Sequence, residues 1–269
     1  MVHQGRETEI WQAYHDGEHK RYALKIVSEA DRKNRKHLAL IRREFDIASE
    51  IRHPRIIKMM EMDQHKGRLF IAMEWFPAPN MKKLISLGYE KIAPQVQQIL
   101  IQAAEGLAHF NSLGWVHCDV KPENFLVSEE AEVKMVDMAI ARRSKSGLSK
   151  MFSLKSKIQG TPTYMSPEQI RGKALDVRSD VYSFACMSYE AISGRRPFSG
   201  MSQNEVLQRH LNSEPPSLSA ANNNVTPQIT QLICAAMAKD PAARPPTMED
   251  FLIELRRHKI FKVQPRAEE

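Results

Sequence analysis

The stretch "VHCDVKPENFL", Val116 to Leu126, decides how the rest of the chain is read. It places Lys121 two positions and Asn124 five positions after Asp119, between a helical run and the short strand-like "FLV". An aspartate accepts a hydroxyl proton. An asparagine oxygen ligates magnesium without adding charge. A lysine between them neutralises a phosphoryl group in flight. Thirteen residues after Asn124, "VKMVDMAI" sets Asp137 at a strand end, a second oxygen ligand suited to a hard cation. Together these groups would orient a hydroxyl, hold Mg2+ and stabilise charge on a transferring phosphate. Taken singly, each has a plainer reading: Asp119 as a turn residue, Asp137 as a cap, Cys118 as a small buried filler.

The chain has 269 residues, enough for one large domain or two small lobes with a sizeable core. Its 42% hydrophobic and 26% charged content is that of an ordinary globular protein. The three cysteines, Cys118, Cys186 and Cys234, lie far apart, which argues against a disulfide framework or a zinc site and for a reducing, cytoplasmic setting. The apolar runs fall well short of the ~18 residues of a membrane span. The opening "MVHQGRETEI" has no apolar signal core. The net charge of +7 reads as a solvated basic surface. No arginine–aromatic interleaving points to nucleic acid, so none is expected as a partner.

The first part of the chain reads as strands. "EIWQAYH" and "KRYALKIV" flank Asp16-Gly17, a hairpin signal in which glycine takes the positive φ. Leu38, Ile41, Phe45 and Ala48 recur at helical spacing, with Pro54 as the stop. "RIIKMMEMD" and "RLFIAMEWF" follow as strands around a turn at Gln64–Gly67. After the connector "PAPN" the pattern becomes helical. Asn80 is placed to cap "MKKLISL", and a long amphipathic helix is predicted from about Pro94 to Leu113. Further helices are predicted at Ser179–Ile192, Ser202–Leu211, Pro227–Met237 and Thr247–Arg256. The irregular Ile140–Pro167 is too long for an ordinary connection and reads as functional. A small β-rich lobe, a hinge and a larger helical lobe follow: an α+β, bilobal reading.

Here the chain resembles the eukaryotic-like serine/threonine protein kinases, most of all their bacterial members. His117-Cys118-Asp119-Val120-Lys121-Pro122-Glu123-Asn124 matches the catalytic-loop pattern H-R-D-x-K-x-x-N. The resemblance implies ATP and Mg2+ (or Mn2+) and protein substrates. It makes Asp119 the general base, sets Lys121 against the γ-phosphate, and gives the metal to Asn124 and Asp137. "ALKIV" resembles the strand of the ATP-anchoring lysine, Lys25, and Glu44 the helix glutamate that pairs with it. Gly5, Ile10, Ala23, Met73 as gatekeeper, Glu74 to Phe76 as hinge, and Leu126 would surround the nucleotide. "GTPTYMSPE", Gly160 to Glu168, is similar to the end of an activation segment. Thr161 there would bond the base and lysine, and Glu168 would pair with Arg244. His117, Met138 and Asp180 match structural positions. The resemblance implies a β-rich lobe over 1–73, a hinge at 74–80 and a helical lobe over 81–269.

Three departures stand out. Of the phosphate-cradling glycines only Gly5 remains, with His3 and Thr8 in the other slots, so weaker ATP binding is expected. The D-F-G position reads Asp137-Met138-Ala139; methionine fills the aromatic slot, and a left-handed alanine would cost roughly 1 kcal/mol relative to glycine. Cys118 replaces an arginine that grips a phosphorylated loop, so activity independent of phosphorylation at Ser144, Ser146, Ser149, Ser153 and Ser156 is expected. The cations Arg142, Arg143, Lys145, Lys150, Lys155 and Lys157 suggest acidic substrates, or only a solvated loop. The alternatives are a nucleotide-binding pseudokinase, which the lost glycines and Ala139 motivate, and a small-molecule kinase, against which "GTPTYMSPE" speaks.

Overall fold

The structure, a computed structural model, describes residues 1–5, 7–144 and 159–266. It opens with β1 (His3–Gln4), β2 (Thr8–His15) and β3 (Lys20–Val27). Helix α1 (Arg35–Ala48) follows, then β4 (Met59–His65) and β5 (Arg68–Glu74). The five strands form one antiparallel sheet in the order β1-β2-β3-β5-β4. Strict alternation makes β5 a half-buried strand: Leu69, Ile71 and Met73 face inward. The β4–β5 hairpin closes through Lys66-Gly67, both at positive φ (49° and 77°), the geometry that suits strand twist.

The first hairpin differs from its expected form. Its loop spans four residues, since His15 pairs with Lys20, and the left-handed residue is His19 (φ 52°) rather than Gly17. A four-residue loop needs its positive φ at the last position, so the Asp-Gly pair marks the turn without supplying the reversal.

Asn34 starts α1 by accepting the Lys36 amide, and the helix ends at Ala48, well before Pro54. Its inner face carries Ile41, Ile47, Ala48 and one charged group, Glu44. Asn80 caps α2 (Met81–Ser86) through the Lys83 amide at 2.9 Å. The helical part continues with α3 (Tyr89–Ile92), α4 (Val96–Ser112), α5 (Pro167–Ile170), α6 (Val177–Ser193), α7 (Gln203–Asn212), α8 (Leu218–Ala221), α9 (Pro227–Ala236) and α10 (Met248–Arg257). The long helices fall where periodicity predicts them. The one-turn helices α3, α5 and α8 are too short to show a period. Helix α6 is buried all round from Ser179 to Ile192 and packs against α4, α9 and α10. Between α4 and α5 lie the short strands β6 (Trp115–Val116), β7 (Phe125–Val127), β8 (Val133–Met135) and β9 (Arg142–Arg143), paired β6–β9 and β7–β8. Among the described residues no helix is long and apolar enough to cross a membrane.

Candidate active site

The loop between β6 and β7 carries Asp119, Lys121 and Asn124, and buried Asp180 of α6 fixes its start. Asp180 Oδ2 accepts the His117 amide (2.7 Å) and Asn111 Nδ2 (2.9 Å), while Oδ1 accepts the Cys118 amide (3.0 Å). Burial pushes this carboxyl above its usual range, opposed by His117 and by these donors. Two successive backbone amides on one buried carboxylate force a turn, and Cys118 takes a left-handed backbone at φ 68°. Its thiol is buried and donates to the Val116 carbonyl at 3.4 Å, which fits the reading of a small filler. Buried His117 receives the Asp119 amide on Nδ1 at 3.3 Å.

Beyond that turn the polar groups converge. Lys121 Nζ lies 2.5 Å from Asp119 Oδ2 and donates to Thr161 Oγ1 at 3.1 Å. Thr161 donates to Asp119 Oδ1 from its amide (2.9 Å) and its hydroxyl (2.8 Å). Asn124 Nδ2 is committed to the Asp119 carbonyl at 2.9 Å, which leaves its amide oxygen to offer a cation. Gly160 makes the Thr161 approach possible: its φ is 123°, and a Cβ there would lie 2.9 Å from the Cys118 carbonyl. Gln169 Nε2 clamps the same place, donating to the carbonyls of Cys118 (2.7 Å) and Gln159 (2.6 Å). Gly160 opens the "GTPTYMSPE" motif, whereas Gln169 stands one residue past its end, with no sequence signal of its own.

Across the cavity, Glu44 takes Lys25 Nζ on both oxygens, at 2.6 and 2.9 Å. Asp137 Oδ1 lies 3.7 Å from the same ammonium. Burial works against the charge on Lys25, but Asp137 and Glu44 outweigh it and raise its pKa. In return Lys25 holds the Asp137 carboxyl below its usual value, against burial. A cavity of about 190 Å3 brings Lys25, Glu44, Asp119 and Asp137 onto one wall system with Glu7 and Thr8. Asp137 keeps 40% side-chain exposure. One ionised carboxylate and one neutral amide oxygen fit a cation whose other ligands are phosphate and water oxygens.

The expectation for Ala139 needs correction. The left-handed residue of Asp137-Met138-Ala139 is Asp137 (φ 64°), and Ala139 is not among the positive-φ residues. The strain expected of an alanine there does not arise. Met138 is fully buried, as the aromatic slot requires.

Ala23, Ile57 and Met73 form a separate apolar cluster, with Ile10, Trp75, Phe76 and Val136 packed on it. Ile57 and Val136 extend the set read from sequence, in which Trp75 stands within the hinge. Glu74 ends β5, its amide on the Lys58 carbonyl at 2.9 Å and its carboxylate 2.5 Å from Lys134. Leu126 lies in β7, half-buried and bridged to Asn80, outside that cluster. Gly5 donates its amide to the Thr8 carbonyl at 2.9 Å, closing the loop over the cavity. Glu168 and Arg244 form a buried two-pronged pair at 2.8 and 2.9 Å, and Ser179 adds a bond to Glu168 at 2.6 Å.

Of the basic segment, Arg142 donates to Gln159 at 2.9 Å. Arg143 donates to the Leu113 carbonyl at 2.9 Å and stacks 4.1 Å over Trp115. Both are engaged within the chain. Ser144 is tied by its amide to the Gly114 carbonyl. Lys145, Ser146, Ser149, Lys150, Ser153, Lys155, Ser156 and Lys157 lie outside the described residues.

A family model described as a protein kinase domain matches residues 2–255. The chain is 32% identical over 240 residues to the serine/threonine-protein kinase pkn3 of Myxococcus xanthus, covering 86% of this chain and 44% of that protein. It is 30% identical to the serine/threonine-protein kinase PknB of Mycolicibacterium smegmatis, over 88% of this chain and 38% of the relative. It is 29% identical to the serine/threonine-protein kinase PrkC of Bacillus subtilis, over 87% and 36%. The chain thus spans less than half the length of these relatives. With the two-sided Lys25–Glu44 contact, the Asp119–Lys121–Thr161 cluster and the buried Glu168–Arg244 pair in one fold, it belongs to the protein kinase domain family.

Proposed function

We propose that this chain is a serine/threonine protein kinase that moves the γ-phosphoryl group of ATP onto serine or threonine hydroxyls of proteins. The observation that carries the reading is the Asp119–Lys121–Thr161 cluster, with each pair within 3.1 Å and Asp119 lining the same cavity as Lys25 and Asp137. Residues 1–73 hold the nucleotide from above, 74–80 form the hinge, and 81–269 carry the transfer groups and the protein-binding segment.

Asp119 orients the substrate hydroxyl and accepts its proton as the oxygen attacks phosphorus and the bond to the departing ADP oxygen breaks. Lys121 balances the charge on the moving phosphoryl group. Lys25, held by Glu44, positions the remaining phosphates. A divalent cation, Mg2+ or Mn2+ in its place, would be held by Asp137 and Asn124 and would neutralise phosphate charge. Ile10, Ala23, Met73 and Phe76 supply the apolar slot for the base. Preservation of every one of these groups supports transfer over a nucleotide-binding scaffold.

The test is incubation with ATP and Mg2+, with itself, casein and a basic protein as acceptors, followed by mass-spectrometric mapping. Phosphoserine and phosphothreonine are expected. ATP binding without any phosphorylated side chain on all three acceptors would overturn the proposal.

A further inference from the structure

The loop over the cavity has lost the glycines that let backbone amides approach phosphate, yet it is pinned in place. The Glu7 carbonyl accepts the Ser28 amide at 2.9 Å. The Glu7 carboxylate lies 3.1 Å from Nε2 of His37, in the first turn of α1. The other ring nitrogen, Nδ1, lies 2.7 Å from Asp31 Oδ1. His37 therefore stands between two carboxylates, one from the loop and one from the turn before α1. It is 24% exposed, Asp31 17% and Glu7 42%, so neither contact is fully screened by water.

An imidazole donates from both ring nitrogens only when it carries both protons. Asp31 stays an acceptor: burial opposes its charge, but bonds from Ser28, Asn34 and His37 hold its pKa below the usual carboxylate value. Asn34, whose Nδ2 lies 3.1 Å from both Asp31 Oδ1 and His37 Nδ1, adds no charge. Among the described residues the other charged groups on the cavity wall are already paired, Lys25 with Glu44 and Asp137, and Asp119 with Lys121 behind it. Glu7 and His37 line that same wall. Without its partner the Glu7 carboxylate would repel a triphosphate placed against Lys25.

We infer that His37 is a positioning residue for nucleotide: by its contact with the Glu7 carboxylate it latches the Glu7 loop onto α1 and offsets an acidic charge at the phosphate end of the cavity. The latch replaces, by an ion pair, the hold on phosphate that the missing glycine amides would give. The inference rests on the kinase reading for its ligand.

The experiment measures ATP affinity with Mg2+ by calorimetry for the parent, His37→Gln, Glu7→Gln and the double variant. Amide hydrogen exchange of the 2–10 region is followed in the nucleotide-free proteins. His37→Gln should bind ATP roughly three- to fivefold more weakly than the parent. The double variant should bind no more weakly than Glu7→Gln alone. In transfer assays of His37→Gln, KM for ATP should rise while kcat at saturation stays the same. Exchange in the loop should quicken in His37→Gln. Equal affinity and equal exchange for parent and His37→Gln would overturn the latch. A parent that binds no ATP would instead overturn the kinase reading, and the exchange arm would still decide the latch.

Discussion

Thr161 gives both its amide and its hydroxyl to the same oxygen of Asp119, at 2.9 and 2.8 Å, so the candidate base is oriented by the segment that would receive the protein substrate. Lys121 takes the other oxygen at 2.5 Å. Loss of the hydroxyl removes one bond to a carboxylate and one from an ammonium. Thr161→Ala should lower kcat by about tenfold to a hundredfold. Thr161→Ser should stay within about threefold of the parent. Steady-state kinetics at saturating ATP check this.

The Glu168–Arg244 pair is the most completely buried ion pair described, with side-chain exposures of 8% and 0%. Removing one partner leaves a charge in the interior. Arg244→Met should destabilise the protein by about 3–5 kcal/mol. In thermal unfolding that is a fall on the order of 10 °C. A double variant that also replaces Glu168 by Gln should recover part of the loss, because the stranded charge is gone.

His210 is wholly buried, its Nε2 on the Thr163 carbonyl and its Nδ1 on the Tyr182 hydroxyl, both at 2.9 Å. A carbonyl only accepts, so the proton is on Nε2 and Tyr182 donates to Nδ1. Burial pushes the pKa of His210 down to about 4. Between that value and the ordinary histidine range near 6.5, the unfolded chain binds a proton that the folded chain refuses. Stability from this group is complete above about pH 6.5 and is lost as pH falls toward 4, at about 1.4 kcal/mol per pH unit. Urea unfolding at several pH values should show this slope, and His210→Gln should flatten it whatever its absolute stability.

Cys118 and Ala139 should matter less than their motifs suggest. Burial, with Asp180 beside it, pushes the Cys118 thiol far above the ordinary range, so it should resist alkylation in the folded protein. Mass-spectrometric labelling at neutral pH checks this. Because Ala139 has no positive φ, Ala139→Gly should change kcat by less than about twofold, with no release of strain.

The chain's periodicity made the long helices and the sheet legible, because α4, α9 and α10 each bury one stripe and β5 alternates strictly. The polar cluster was legible too, since Asp119, Lys121 and Asn124 lie within six residues of one another. What escaped depends on contacts distant in sequence. Gln169 reaches Cys118 across 51 positions, and Lys134 reaches Glu74 from another strand pair. Backbone reversal also escaped: among the described residues five that are not glycine, His19, Lys66, Cys118, Ala131 and Asp137, take left-handed φ. At Cys118 the cause is the Asp180 carboxylate that captures its amide. Composition and motif do not carry such tertiary demands.

The measurement that reaches the central claim most directly compares the parent with Asp119→Asn in a single-turnover assay, with ATP binding followed in parallel. Asparagine keeps the shape and the bond from Thr161 but cannot take a proton. The account predicts unchanged ATP affinity within about twofold and a transfer rate lower by about 10²–10⁴. Transfer at the parent's rate in Asp119→Asn would contradict it.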